Sequence, residues 1–229
     1  MVTPVKITFS SENIKNKYLT EGLELIHEII SRSLIISDKY LNNCIKNNEI
    51  DIKSNDGFKN YLNSFITVFN SHHKGEEEIL FKIIEKKDKN VDFMLLKEQH
   101  KKLHPIIKKL YNQINISNHS ISNYKKIKDL INQINILWLK HINEEEKQIE
   151  LEIEPKLSLN EQLQLTEKLS KHGQSMSKPA HLILPFLIYN LERNKREKFT
   201  DDMPLILKNF LVPLVWKNKW KNMQPFLLD

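Results

Sequence analysis

The chain is poor in glycine and cysteine, with 4 glycines and a single cysteine, Cys44, among 229 residues. Scarce glycine argues against a turn-rich β architecture. One cysteine excludes an intrachain disulfide framework and is typical of a reducing compartment. The sequence also lacks an apolar run of the roughly 18 residues that a membrane span needs, and residues 1–15 lack the apolar core of a signal peptide. We therefore expect a cytoplasmic protein with no membrane span.

Charge is abundant but scattered. The formal net charge is +6, and lysines stand beside acidic neighbours along the chain, as in the stretch EKKDKN at residues 85–90. This pattern is typical of the solvated faces of helices rather than of a basic stripe that binds nucleic acid. With 40% hydrophobic and 28% charged residues, the composition is that of a globular protein, and we expect no nucleic-acid partner.

Leucine, isoleucine, lysine and glutamate dominate long stretches, and apolar residues recur in them at helical spacing. Four amphipathic helices are predicted, over residues 12–47, 56–87, 91–114 and 120–154. The short polar loops between them predict an all-α fold, an antiparallel four-helix bundle. The predicted organisation is this bundle over residues 12–155 and a proline-interrupted helical extension over residues 156–229 that packs on it.

Histidine interrupts the apolar stripe of every predicted helix near its middle. One group or pair comes from each helix: His27, then His73 with Glu77, His100 with His104, and His141 with Glu145. Residues four apart project from one helix face, and the middles of the helices meet in one layer of a bundle. Five imidazoles and two carboxylates exceed the needs of one tetrahedral zinc ion. They suit two ions of iron, manganese or zinc that the carboxylates bridge.

Two pairs compete in the second helix. His72 precedes Glu76 by four residues, just as His73 precedes Glu77. The second pair lies on the apolar stripe, four residues after Phe69, and is therefore favoured, with Glu76 kept as an alternative ligand.

Two further alternatives concern the other helices. Glu145 continues the stripe of the fourth helix, whereas Glu146, five residues after the histidine, is rotated by about 140° on an ideal helix; we favour Glu145. Pro105 disfavours helical geometry at the preceding residue. Loss of His104 from the ligand set is therefore the second alternative.

Four stretches that contain these histidines and glutamates resemble the motifs of the hemerythrin-like, or HHE cation-binding, domains. The resemblance rests on residues 25–34, 69–81, 97–104 and 138–146 and covers roughly residues 18–155. It implies a four-helix bundle around a non-haem di-iron centre, in which one iron is held by His100, His104 and His141, the other by His27 and His73, and both by Glu77 and Glu145. It also implies an open position for dioxygen or a similar small ligand.

The favoured function is a binding protein rather than an enzyme, which holds two iron ions and uses them to bind dioxygen or a related small ligand for storage or sensing. One alternative is a di-iron enzyme that reduces peroxide or nitric oxide. Another is an iron-responsive regulatory protein whose extension contacts a protein partner or a second copy of the chain, with residues 215–223 exposed. A ferritin-like site is disfavoured because it needs two Glu-x-x-His motifs, and the four helices contain only Glu24-x-x-His27. A bundle without metal would leave several buried polar groups unpaired, at roughly 1–3 kcal/mol each.

Overall fold

A computed structural model of the chain describes residues 18–116, 120–201 and 203–228. Every regular element in these ranges is a helix, so the predicted all-α class is confirmed. None of the helices described is both long and apolar enough to cross a membrane. The predicted beginning of the first helix at residue 12 lies outside the described residues.

Four long helices form the bundle. The first and third are single α-helices, α1 (Tyr18–Asn47) and α4 (Met94–Ile114). The second runs without interruption through α2 (Ile52–Gly75), a π-helical turn (Glu76–Leu80) and α3 (Phe81–Lys87). The fourth runs through α5 (Ile121–Gln148), a π-helical turn (Ile149–Ile153) and a 3₁₀ turn (Glu154–Lys156).

The second helix begins earlier than its sequence predicts, and the third is not interrupted at its proline. The second begins at Ile52 rather than near residue 56, because the carboxylate of Asp51 accepts hydrogen bonds from the backbone N–H (3.2 Å) and hydroxyl (2.6 Å) of Ser54, as an N-cap does. Pro105 lies inside α4 without ending it. Proline removes one backbone donor, but the helix continues for two further turns.

A polar layer separates two apolar clusters inside the bundle. On each helix, one cluster lies on one side of a histidine and the other cluster on its far side. The pairs of apolar residues that flank the layer are Leu23 and Ile29 on α1, Phe69 and Leu80 on the second helix, Leu96 and Leu103 on α4, and Trp138 and Ile149 on the fourth helix. The order of the clusters alternates from helix to helix, because successive helices are antiparallel. All four helices therefore cross the same layer.

The described residues of the extension form four α-helices and two other helical segments. They are α6 (Leu159–Met176), α7 (Ala180–Tyr189), α8 (Arg193–Phe199), a π-helix (Leu207–Val215), α9 (Lys217–Trp220) and a 3₁₀-helix (Lys221–Phe226). A capping box between Ser158 and Glu161 opens α6, which packs against α1 and α2.

The end of the extension is built into the larger apolar cluster of the bundle. Phe186, Trp220, Met223 and Phe226 are buried in that cluster. In the stretch predicted to be exposed, Trp220 is only 5% exposed and Met223 is buried, whereas Lys217, Lys219 and Lys221 are exposed.

Two bundle residues hold this carboxyl-terminal segment. A Cβ atom on Gly57 would lie 1.9 Å from the carbonyl oxygen of Asn222, so only glycine permits this approach. Arg32 Nη1 donates a hydrogen bond to the carbonyl oxygen of Phe226 (2.9 Å).

Candidate metal centre

Seven side chains converge in the polar layer. They form two overlapping groups, within each of which the potential ligand atoms lie within 4.8 Å of one another: His73, Glu76, His100 and His141, and His27, His72, Glu76 and Glu145. None of these side chains is more than 4% exposed. Every helix of the bundle contributes at least one of them, and Glu76 belongs to both groups.

The carboxylate of Glu76 faces both groups. Its Oε1 lies 2.8 Å from Nε2 of His72, and its Oε2 lies 3.3 Å from Nε2 of His100. Two ligands that bind one ion at about 2.0–2.1 Å and at right angles are themselves about 3 Å apart. The contacts of Glu76 therefore have the spacing of ligands on two neighbouring ions.

Glu145 makes a second link between the two groups. Its Oε2 lies 3.3 Å from Nε2 of His27 and 3.3 Å from Nε2 of His141, one histidine from each group. Like Glu76, Glu145 thus contacts imidazoles of both groups.

Five polar atoms of the layer are buried and make no hydrogen bond: Nε2 of His73 and all four carboxylate oxygens of Glu76 and Glu145. Their short contacts with imidazole nitrogens lack hydrogen-bond geometry. Each such atom costs roughly 1–3 kcal/mol when it has no partner. A cation satisfies oxygen and nitrogen lone pairs that point at one place. Imidazole with carboxylate suits iron, manganese or zinc, so the residues present fit a pair of metal ions.

Burial sets the protonation of the histidines. It lowers the pKa of His141 to about 3, and burial together with nearby His100 holds the pKa of His73 well below its usual value. Burial also opposes the charged form of His27, but Glu145 and Glu146 outweigh it and raise that pKa to about 10. His73 and His141 are thus neutral, which is the form that binds a metal.

Hydrogen bonds fix the outer nitrogens of three of these histidines. The Nδ1 atoms donate to side-chain oxygens just outside the layer: His27 to Glu146 (2.7 Å), His100 to Glu77 (2.8 Å) and His141 to Gln99 (2.9 Å). A partner on Nδ1 fixes the tautomer and aims the Nε2 lone pair at the centre. Glu77 and Glu146, which are 40% and 33% exposed, therefore orient histidines from the rim.

The second helix differs from its sequence prediction, since Glu76 and His72 lie in the layer and Glu77 lies on its rim. The prediction took His73 alone as the centre of the inward face. Both adjacent histidines reach inward, so the centre lies between them, three or four residues before Glu76. The sequence held one signal for this outcome, which is the pair of adjacent histidines. If His72 also faces inward, its partner four residues later is Glu76, whereas Glu77 is five residues away.

The π-helical turn also helps to place Glu76, rather than Glu77, in the layer. The backbone N–H of Phe81 donates to the carbonyl oxygen of Glu76, five residues earlier. On an ideal α-helix, residues five apart are separated by about 140°, whereas the wider turn brings them onto one face. Glu76 can therefore face the metal layer while Phe81, which is fully buried, faces the apolar cluster below it.

His104 lies beside the layer rather than within either group. Its Nε2 is 3.3 Å from Nδ1 of His73, so it is placed as an outer partner of that ring. It is partly buried and lines a surface cavity of about 440 Å³, together with Thr67, Asn70, Lys74 and Met176. The imidazole of His104 stacks on that of His73, with 5.5 Å between the ring centroids, and so joins this cavity to the layer.

Aromatic rings close the layer toward the larger apolar cluster. The ring of Trp138 lies 5.4 Å from that of His27 and 5.6 Å from that of His141. Its indole N–H is satisfied by Oγ of Ser31 (2.9 Å). Phe69 lies 4.3 Å from His73. These fully buried rings exclude water from one side of the layer.

Helix α6 of the extension packs against the second helix beside the π-helical turn. A Cβ atom on Gly75, which directly precedes the π-helical turn, would lie 3.4 Å from Cδ2 of Leu169 and 3.6 Å from Cδ2 of His172. Helix α6 therefore packs against the backbone that positions Glu76.

Comparison with known protein families agrees with this geometry. The family model described as the hemerythrin HHE cation binding domain matches residues 17–153, which is more than half of the chain. The match includes every residue of the polar layer and ends before α6. No curated protein and no solved structure was found to match the chain.

Proposed function

This chain belongs to the hemerythrin HHE cation-binding domain family, and we propose that its polar layer holds two iron ions that bind dioxygen or a related small ligand, for storage or sensing. One observation carries the proposal: Glu76 and Glu145 each face histidines of both groups, and all four of their oxygens lack hydrogen bonds. Such a pair of carboxylates can bridge two cations.

The two ions would have unequal sets of ligands. One group offers three imidazoles, from His73, His100 and His141, whereas the other offers only those of His27 and His72. The second ion would thus have two imidazoles and two shared carboxylates. When bound, a pair of iron ions supplies reversible redox chemistry and open coordination positions. The ligand-poor group is where we expect the small ligand to bind.

The surroundings of the layer favour binding over turnover. Trp138 and Phe69 form an apolar wall beside His27 and His73, and Glu146 holds the outer nitrogen of His27. A dry wall withholds the protons that the reduction of a ligand requires. The same residues would therefore keep a small ligand intact until it leaves.

Metal analysis and spectroscopy test the proposal together. The full chain, reconstituted with ferrous iron without oxygen, should contain two ions and should gain visible absorption on exposure to oxygen that reverses when oxygen is removed. His181→Ala, a change in α7 away from the layer, serves as the control and should behave as the original chain does. Colourless protein with fewer than one ion per chain would refute the proposal. Rapid consumption of peroxide or nitric oxide would favour the enzyme.

An iron-responsive role is the second candidate, and the contact of α6 with Gly75 favours it. If the ions fix the turn that carries Glu76, their removal should loosen Leu169 and His172 on its outer side. Hydrogen exchange should then show faster exchange in α6 (Leu159–Met176) of the metal-free chain. Unchanged protection of α6 would exclude this coupling.

A further inference from the structure

Large apolar side chains lie exposed on the outer side of the extension. Five of them, between 50% and 68% exposed, belong to one short segment that leads into and forms the π-helix: Leu205, Ile206, Phe210, Leu214 and Val215. We call these five residues the apolar ridge. Soluble proteins rarely expose contiguous apolar patches of more than a few hundred Å² without a use for them.

The winding of the π-helix gathers the ridge on one face. The backbone N–H of Trp216 donates to the carbonyl oxygen of Leu211, five residues earlier (2.8 Å). With a little over four residues per turn, Ile206, Phe210 and Leu214 fall into a stripe along the helix. The ridge is therefore continuous rather than a set of scattered side chains.

The opposite face of the π-helix is held by the rest of the extension. Val212 is fully buried, and its carbonyl oxygen accepts a hydrogen bond from the indole N–H of Trp220 (2.8 Å). The ring of Trp220 in turn stacks on that of Tyr189, with 5.1 Å between the ring centroids. The fold thus presents the ridge outward on a supported helix.

Positive charge accompanies the ridge. Residues 203–228 contain four lysines and no aspartate or glutamate. Three of these lysines, Lys217, Lys219 and Lys221, are exposed and follow the ridge directly. Asp201, Asp202 and Asp229 flank this range, so the excess of positive charge is local to the three exposed lysines beside the apolar stripe.

We propose that the apolar ridge docks the protein on an anionic lipid surface. The apolar side chains would enter the boundary between headgroups and acyl chains, and the lysines would remain among the phosphates. A symmetric contact between two copies of the chain would bring the three exposed lysines beside the ridge against the same lysines of the second copy. Charge complementarity thus favours a lipid surface over a second copy.

Vesicle flotation with the full chain tests the proposal. Phosphatidylcholine vesicles that contain phosphatidylserine should bind the protein, vesicles without it should bind it far less, and added salt should weaken binding by screening. Each lysine near such a surface contributes about fivefold to partitioning, so Lys217→Glu with Lys219→Glu should lower it by about 25-fold or more. Phe210→Ser with Leu214→Ser should lower it by at least about tenfold. Ile136→Ser, at an equally exposed apolar residue of the bundle (70%), should leave binding unchanged.

Several results would overturn the proposal. One is failure of the original chain to bind phosphatidylserine vesicles, and another is full binding by the Phe210→Ser, Leu214→Ser variant. A dimer that this variant abolishes would identify a second copy as the occupant. A lower thermal unfolding midpoint in this variant than in Ile136→Ser would show that the ridge is already covered within the isolated chain.

Discussion

The choice between adjacent glutamates in the second helix gives the most discriminating test of the metal centre. Glu76→Gln and Glu77→Gln each remove one charge and almost no volume from neighbouring positions. Glu76 is 1% exposed and faces histidines of both groups. Glu77 is 40% exposed and bonds only the outer nitrogen of His100.

The expected losses of metal affinity differ by orders of magnitude. Removing one partner of a buried charge pair costs about 3–5 kcal/mol, and Glu76 would contact two ions. Its loss should therefore cost about 6–10 kcal/mol across the pair, or at least about 10⁴-fold in affinity. Glu77 supports a ligand from outside, and changes of that kind cost about 10–100-fold.

Competition with a chelator, followed by metal counting, measures both variants. At moderate chelator concentration, Glu77→Gln should retain most of its metal and Glu76→Gln should lose it. Thermal unfolding of the metal-free proteins provides the control, since it separates the loss of metal affinity from the loss of the carboxylate's contacts with His72 and His100. Greater metal loss from Glu77→Gln than from Glu76→Gln would show that we have assigned the wrong inward face.

Three further predictions address the stability of the fold and the register of the π-helical turn. Gly57→Ala should lower the free energy of unfolding by about 1–3 kcal/mol, because its Cβ would meet the carbonyl of Asn222; a urea curve that matches the original chain would contradict this. Deletion of exposed Glu78 should turn the π-helical turn into an α-helical one while Glu76 and Phe81 keep a common face, so metal content should persist, and its loss would refute our account of the register. Removal of both metals should lower the thermal midpoint by about 10–20 °C, since each ion at a hundredfold excess over its dissociation constant adds about 2.7 kcal/mol; an unchanged midpoint would argue against metal binding to the folded chain.

Helical periodicity was sufficient to predict the bundle and the level of the polar layer. Each stripe places apolar residues on both sides of a histidine, and antiparallel helices bring such positions together regardless of small errors at helix ends. That is why the class and architecture, and the resemblance to the hemerythrin family, are confirmed.

Periodicity could not choose between adjacent residues. It assumes a constant angle per residue and one inward direction for each helix. In the second helix both assumptions fail, because His72 and His73 share the inward face and the turn after Gly75 is π-helical. Neither feature is local: the inward direction depends on where α4 and α5 place their own histidines.

The extension was less predictable because its prolines interrupt any periodic pattern. The aromatic and basic stretch at residues 215–223 indicates exposure by its lysines and burial by its tryptophans. Packing decides the outcome, since Trp220 and Met223 are buried in the bundle's larger cluster. The exposed apolar residues of the apolar ridge lie between Leu205 and Val215, at and before the start of this stretch.

The burial of these extension residues bears on the metal centre itself. Three buried side chains of the layer, those of His73, Glu76 and Glu145, hold atoms without hydrogen bonds. At roughly 1–3 kcal/mol for each such group, they cost the metal-free bundle at most about 3–9 kcal/mol, since the carboxylates keep contacts with imidazoles. The larger apolar cluster receives Phe186, Trp220, Met223 and Phe226 from the extension, and burial of four such side chains contributes about 6–12 kcal/mol. The two amounts are comparable, so the extension can hold the ligands in position before the ions bind. A segment that lies outside the family match thus stabilises the centre that the match identifies.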